Sequence, residues 1–147
     1  ELQSDEILAM YKRAFKFIQY RLPHEKDFDW QDIEDSDLDV MNNDEIAIVF
    51  ILVKLKHYDK SIQEEILYAI NYLIIYDCGL LIKPLKWFFS HIEQFPQLSV
   101  AGMLEIFLLN IDEQFDFFLE IKDDVKEVTV LDNLYINDCI EQLYLGF

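Results

Sequence analysis

The sequence predicts an all-helical fold, a single domain over residues 1–147 built from about six or seven helices. Three observations carry this. The 147 residues are 52% hydrophobic and 15% aromatic yet include only three Gly and three Pro; few chain breakers and many large side chains favour long regular elements around a dense core. Apolar residues recur at spacings of three and four through most of the chain, as they do along the buried face of a helix. Prolines and capping residues fall at the edges of those periodic segments. A domain of this length buries roughly 70% of the surface its unfolded chain exposes.

The first helix starts at a Ser4 cap, runs through Ile7, Tyr11, Phe15, Ile18 and Leu22, and stops at Pro23. Residues 24–43 lack a clean period and read as a loop with one helical turn. Asn43 or Asp44 caps a second helix through about Lys56. Its run from Ile46 to Val53 is rich enough in β-branched residues for a buried strand; the cap, the length and the helical neighbours favour helix. The third helix has the strongest signals. Ser61 and Glu64 match a capping box, Ile62, Ile66, Ile70, Leu73 and Ile74 form one stripe, and Gly79 is placed to end it. Tyr68, Tyr72 and Ile75 occupy its other side, and a helix apolar on two sides is predicted to lie inside, between layers.

Pro84 fits the first turn of a fourth helix that turns Leu85, Phe88, Phe89, Ile92 and Phe95 inward, and Pro96 ends it. Ser99 caps a fifth helix carrying Val100, Leu104, Phe107, Leu108 and Ile111, and a sixth follows from about Asp112 to Ile121. β-Branched residues over 125–131 allow a short strand, and residues 133–145 read as a last helix. The pairs 44–57 with 61–77 and 84–95 with 99–111 recur at about forty residues, the spacing of stacked helical hairpins such as HEAT repeats.

Charge is the strongest compositional signal. Twenty-nine acidic and twelve basic residues give a net charge of −17, a field that repels nucleic acid and anionic membrane, attracts cationic surfaces and favours a monomer. Residues 27–45 hold nine of the acids and no Lys or Arg: Asp27, Asp29, Asp32, Glu34, Asp35, Asp37, Asp39, Asp44 and Glu45. Residues 87–121 hold six acids and again no base.

The sequence holds no complete motif for catalysis or metal binding. Asp35-Ser36-Asp37-Leu38-Asp39 opens like a calcium loop, but Val40 stands where the turn needs Gly and Ile46 where the bidentate Glu belongs. His24, His57 and His91 fit no zinc-binding spacing, and Cys78 and Cys139 form no C-x-x-C pair, so both read as free thiols. Three glycines leave no phosphate-cradling loop and no nucleophile elbow. The expectation is a protein without catalytic residues, cofactor or metal, which works by binding. No apolar run reaches the ~18 residues of a membrane span and no leader-like segment opens the chain, which with the unpaired cysteines points to a cytoplasmic setting.

The expected partner-binding residues are Asp27, Asp29, Trp30, Asp32, Glu34, Asp35, Asp37 and Asp39, with Trp30 as an aromatic anchor among carboxylates. In size, acidity and helix-pair pattern the whole chain resembles the immunity proteins that bacteria make against contact-dependent and other secreted antibacterial toxins. That resemblance implies a cognate toxin domain, often a basic nuclease, as partner. Two other readings fit the residues: a nucleic-acid mimic that inhibits a DNA- or RNA-binding protein, and a helical-repeat adaptor or scaffold.

Overall fold

A computed structural model describes residues 6, 9, 11–14, 35–57 and 59–146, and the chain divides into two compact units, Glu1–Glu34 and Asp35–Phe147. In the first unit, residues 6, 9 and 11–14 are helical. Tyr11, expected on the inner face of that helix, is exposed. The remainder of the first helix and residues 24–34 of the expected loop lie outside the described residues.

The second unit opens with a single helical turn, Asp35–Leu38, followed by six longer helices: α1 (Asn43–Val53), α2 (Lys60–Asp77), α3 (Ile82–Ser90), α4 (Gln97–Asn110), α5 (Phe115–Lys126) and α6 (Leu134–Gly146). Among the described residues there is no strand, and the all-helical prediction holds.

Side-chain caps fix where α1 and α2 begin, and several helix ends are not where the sequence patterns put them. The cap of α1 is Asn42, one residue before the expected pair. Its side chain accepts from the Glu45 amide and Glu45 Oε2 accepts from the Asn42 amide, both at 2.9 Å, a reciprocal capping box. The cap of α2 is Asp59, not Ser61. The Ser61 amide and hydroxyl both donate to Asp59 Oδ1 at 2.9 Å, and these bonds hold the Asp59 carboxyl below its usual range. A carboxylate is the better acceptor at the positive end of a helix, so Glu64 is left to pair with Lys60 at 3.6 Å. Ser99 likewise sits inside α4, which starts after Pro96. α2 ends at Asp77 rather than at Gly79, whose φ is not positive; a 3₁₀ segment, Cys78–Leu81, leads directly into α3. α5 begins at Phe115 rather than Asp112.

The short strand allowed over 125–131 is not formed. Val125 and Lys126 finish α5, and Glu127–Leu131 is a 3₁₀ helix closed by Asp132 at φ 47° and ψ 47°. Thr129 Oγ1 donates back to the Lys126 carbonyl at 2.9 Å, and only Val128 of the 3₁₀ residues turns fully inward. Among the described residues no second strand is present to satisfy its backbone groups, and a helical turn satisfies them locally.

Alternate helices pack on one another. α1 packs on α3 and α3 on α5, making one row; α2 packs on α4 and α4 on α6, making the other. Hydrogen bonds and ion pairs along these rows join residues a near-constant distance apart in sequence. Lys83 reaches Glu45 and Lys56 reaches Gln94, both 38 residues apart; Asn110 donates to Asn71, 39 apart; Asn133 donates to Gln97, 36 apart. Each helical hairpin is therefore laid beside the previous one in the same orientation. The even helices keep the same period, with Lys60, Gln97 and Leu134 as first residues, 37 apart.

Aromatic rings fill the space between the rows. Phe89 of α3 contacts Phe107 of α4 at 5.9 Å between ring centroids, and Phe107 contacts Phe118 of α5 at 5.1 Å, offset geometries that favour ring pairs. Ile66, Ile70 and Ile74 of α2 are buried against this core. The opposite side of α2 is not covered: Tyr68 is 74% exposed and Tyr76 58% exposed. The expectation that this helix lies between two layers is thus corrected; it belongs to one of two rows, and its tyrosine side faces outward. By length and composition alone Lys60–Ser90 could cross a bilayer, but it is interrupted between α2 and α3 at Asp77 (φ −157°, ψ 57°).

Candidate interaction surfaces

Two groups of residues bear on binding, the acidic run expected from the sequence and an exposed face of one helical row that was not expected. Of the expected residues, Asp27, Asp29, Trp30, Asp32 and Glu34 lie outside the described residues and belong to the first compact unit. Asp35, Asp37 and Asp39 belong to the second. Asp35 opens the single helical turn, Asp37 is half-buried within it, and Asp39 is exposed just after it. Asp44 is exposed in the first turn of α1. Glu45, the last acid of the run, is buried; it closes the α1 capping box and lies 3.4 Å from Lys83, which also donates to the Val40 carbonyl at 2.8 Å. Glu45 is therefore a structural residue. Lys83, 38 positions away in sequence, supplies the cation that the run itself lacks.

Asp37 Oδ2 lies 3.9 Å from His91 Nε2, and Ser90 Oγ lies 2.9 Å from His91 Nδ1. These residue types are those of a nucleophile, base and acid, but the geometry is that of a helix end. His91 Nδ1 is 2.8 Å from the Trp87 carbonyl, and Ser90 Oγ donates to the same carbonyl at 2.8 Å. A ring nitrogen that donates to a carbonyl cannot accept the serine proton. The His91 ring also stacks on Trp87 at 4.7 Å.

Among the described residues no group of three or more His, Cys, Asp or Glu converges as a metal site would require. His57 Nδ1 accepts from the Asp59 amide at 3.1 Å, tying down the turn before α2. Cys78 and Cys139 are free thiols, and burial pushes the Cys139 thiol above its usual range.

The second group forms the outer side of the α2–α4–α6 row. On α2, Glu64, Tyr68, Tyr72 and Tyr76 follow at intervals of four and are all exposed, with the Tyr72 and Tyr76 rings 4.4 Å apart. On α4, Leu98, Glu105 and Leu109 are exposed on the corresponding stripe, with Leu109 at 80%. On α6, Tyr135, Asp138 and Leu145 continue it. The Tyr135 hydroxyl donates to Glu105, joining the last two helices across this face, and that bond is the main reason the Tyr135 phenol is pushed up to about 12. Gly102, between Leu98 and Glu105 on the same stripe of α4, allows the close approach of α2, since a Cβ there would meet Leu67 Cδ1 at 2.6 Å.

Charge is divided between the rows. Seven lysines and no arginine follow residue 34. Six of them, Lys54, Lys56, Lys83, Lys86, Lys122 and Lys126, lie on α3 and α5 or in the turn directly after α1. The even helices carry Glu64, Glu65, Asp77, Glu105, Asp138 and Glu141 against Lys60 alone. Sequence reading missed this surface because it treated Tyr68 and Tyr72 as core. The legible signal was the lack of any Lys or Arg from Ser61 to Ile82 and again from Trp87 to Ile121.

In comparisons with known proteins, the chain matches no protein-family model, and no curated protein or solved structure is significantly similar to it.

Proposed function

We propose that this protein is a non-catalytic inhibitor that acts by binding a basic protein, in the manner of a bacterial immunity protein neutralising a cationic toxin domain, most often a nuclease, in the cytoplasm. The observation that carries the reading is the charge distribution. A net charge of −17 includes nine carboxylates in residues 27–45 with no Lys or Arg among them, and Asp39 and Asp44 of that run stand exposed. Like charges held together raise the energy of the free protein; a cationic partner relieves that repulsion on binding and gains fast, steered association. The same field disfavours direct contact with nucleic acid or anionic membrane and favours a monomer before the partner arrives.

Stacking of alternate helices at 36–39 residues supports a helical-hairpin repeat of the HEAT kind. Such scaffolds present rigid, extended surfaces to a partner, which suits an inhibitor and equally an adaptor. The nucleic-acid-mimic reading is less well supported, because a mimic needs carboxylates spaced evenly along a rod, whereas nine of the twenty-nine acids fall within 27–45.

The test is capture from the source cell with the immobilised protein, followed by purification of the captured partner and assay of its activity. The proposal predicts a basic partner whose toxic activity is abolished at a one-to-one ratio. An acidic partner, or a DNA- or RNA-binding partner without toxic activity, would contradict it.

A further inference from the structure

The outer face of α2, α4 and α6 is made of other residues than the acidic run, and its composition points to what it fits. Monomeric proteins seldom leave contiguous apolar and aromatic patches uncovered. Here Tyr68, Tyr72 and Tyr76 line one helix, with Leu109 and Tyr135 on the next two. Tyrosine is enriched at binding hot spots because it offers a large rigid ring and a polar end at little entropic cost. The charges interspersed among these rings are carboxylates, with Glu64, Glu105 and Asp138 all exposed, and Lys60 at the start of α2 is the sole cation of the three helices.

We infer that this face is a docking surface for an arginine-bearing segment of a partner protein, with guanidinium groups laid over the tyrosine rings and paired with the neighbouring carboxylates. This rests on the reading of the protein as a binder of basic proteins and names the surface and the residue type that it takes. Arginine fits both features. Its planar cation stacks on aromatic faces, is weakly hydrated, and bonds carboxylates in a two-pronged fashion, whereas the compact ammonium of lysine is strongly hydrated. Other occupants fit less well. A second copy would bring two molecules of charge −17 together through their acidic faces. Nucleic acid and anionic lipid are repelled by the same carboxylates.

The probe is a fluorescent nona-arginine peptide, with nona-lysine and nona-glutamate peptides as comparisons, titrated by anisotropy into the full chain. The triple variant Tyr68→Ala, Tyr72→Ala, Tyr76→Ala leaves the charge unchanged. It should weaken nona-arginine binding by about tenfold or more and nona-lysine binding by less. Asp35→Asn, Asp37→Asn and Asp39→Asn combined should weaken both peptides alike, by the lost charge alone. If the tyrosine variant binds nona-arginine as tightly as the parent, the docking surface is refuted while the general attraction to basic partners stands. If the parent binds neither cationic peptide, both readings fall. Tyrosine-dependent binding to neutral phosphatidylcholine vesicles, or a concentration-dependent dimer in sedimentation that the triple variant abolishes, would assign the face to lipid or to a second copy and overturn the inference.

Discussion

Ser99 Oγ donates to the carbonyl of Leu55 at 3.0 Å, and both residues are buried. The bond links the first turn of α4 to the 3₁₀ turn after α1, so it ties one helical row to the other at the point where the first two hairpins meet. Ser99→Ala removes the donor and leaves a buried carbonyl without it. The expected cost is about 1–3 kcal/mol by urea denaturation. A loss below about 0.5 kcal/mol would mean that Ser99 serves only as a first-turn helix residue.

Ile70 and Tyr68 lie two positions apart on α2 and face opposite ways, Ile70 fully buried and Tyr68 exposed. Ile70→Ala should cost ~2–5 kcal/mol, as large-to-small changes in cores do, while Tyr68→Ala should change stability by about 0.5 kcal/mol or less. Comparable losses for the two would show that the tyrosine side of α2 is covered by protein.

Gly102 of α4 lies against the Leu67 side chain of α2, where an added Cβ would meet Leu67 Cδ1 at 2.6 Å. Alanine at 102 gains helix propensity but presses its Cβ against the movable end of Leu67. Gly102→Ala should therefore be more favourable in a Leu67→Ala background than in the parent, with a coupling of about 0.5 kcal/mol or more in a double-mutant cycle. Additive effects would place the two side chains apart.

Glu105 holds the Tyr135 phenol protonated, with its pKa raised to about 12 chiefly by the hydrogen bond between them. The folded pKa lies above the unfolded one, so the contribution to stability is fully present below pH ~10 and is lost as pH rises toward 12. Tyr144 is also raised, by burial and by Asp123, so phenolate absorbance should show late-titrating tyrosine, and Glu105→Gln should move the Tyr135 part of it back toward the ordinary range. An unchanged titration curve in that variant would place the cause of the shift elsewhere.

How much of this was legible in the sequence differs by level. Helical periodicity located the elements well, because stripes such as Ile66, Ile70 and Ile74 record which side is buried. It could not place caps to the residue, since Asn42 and Asn43, or Asp59 and Ser61, are all competent and geometry chooses among them. Val125 to Leu131 misled because β-branched residues suit a strand only when another strand is present to pair with it. The acidic run was visible as composition, but Glu45 proved to be structural once folding brought Lys83 to it. The tyrosine face was hidden for a different reason. Apolar periodicity on both sides of α2 has the same signature whether the second side meets another layer or a partner, and only the two-row packing decides.

The central claim is that binding is driven by attraction to a basic protein, and association kinetics with the captured partner test it most directly. The parent should associate at up to ~10⁸–10⁹ M⁻¹s⁻¹ at low salt, with a steep fall as ionic strength rises. The variant combining Asp32→Asn, Asp35→Asn, Asp37→Asn and Asp39→Asn should associate more slowly and with a flatter salt dependence, at an equal or higher melting temperature. Parent association that is insensitive to salt, or a variant with the same rate and salt slope as the parent, would contradict the account.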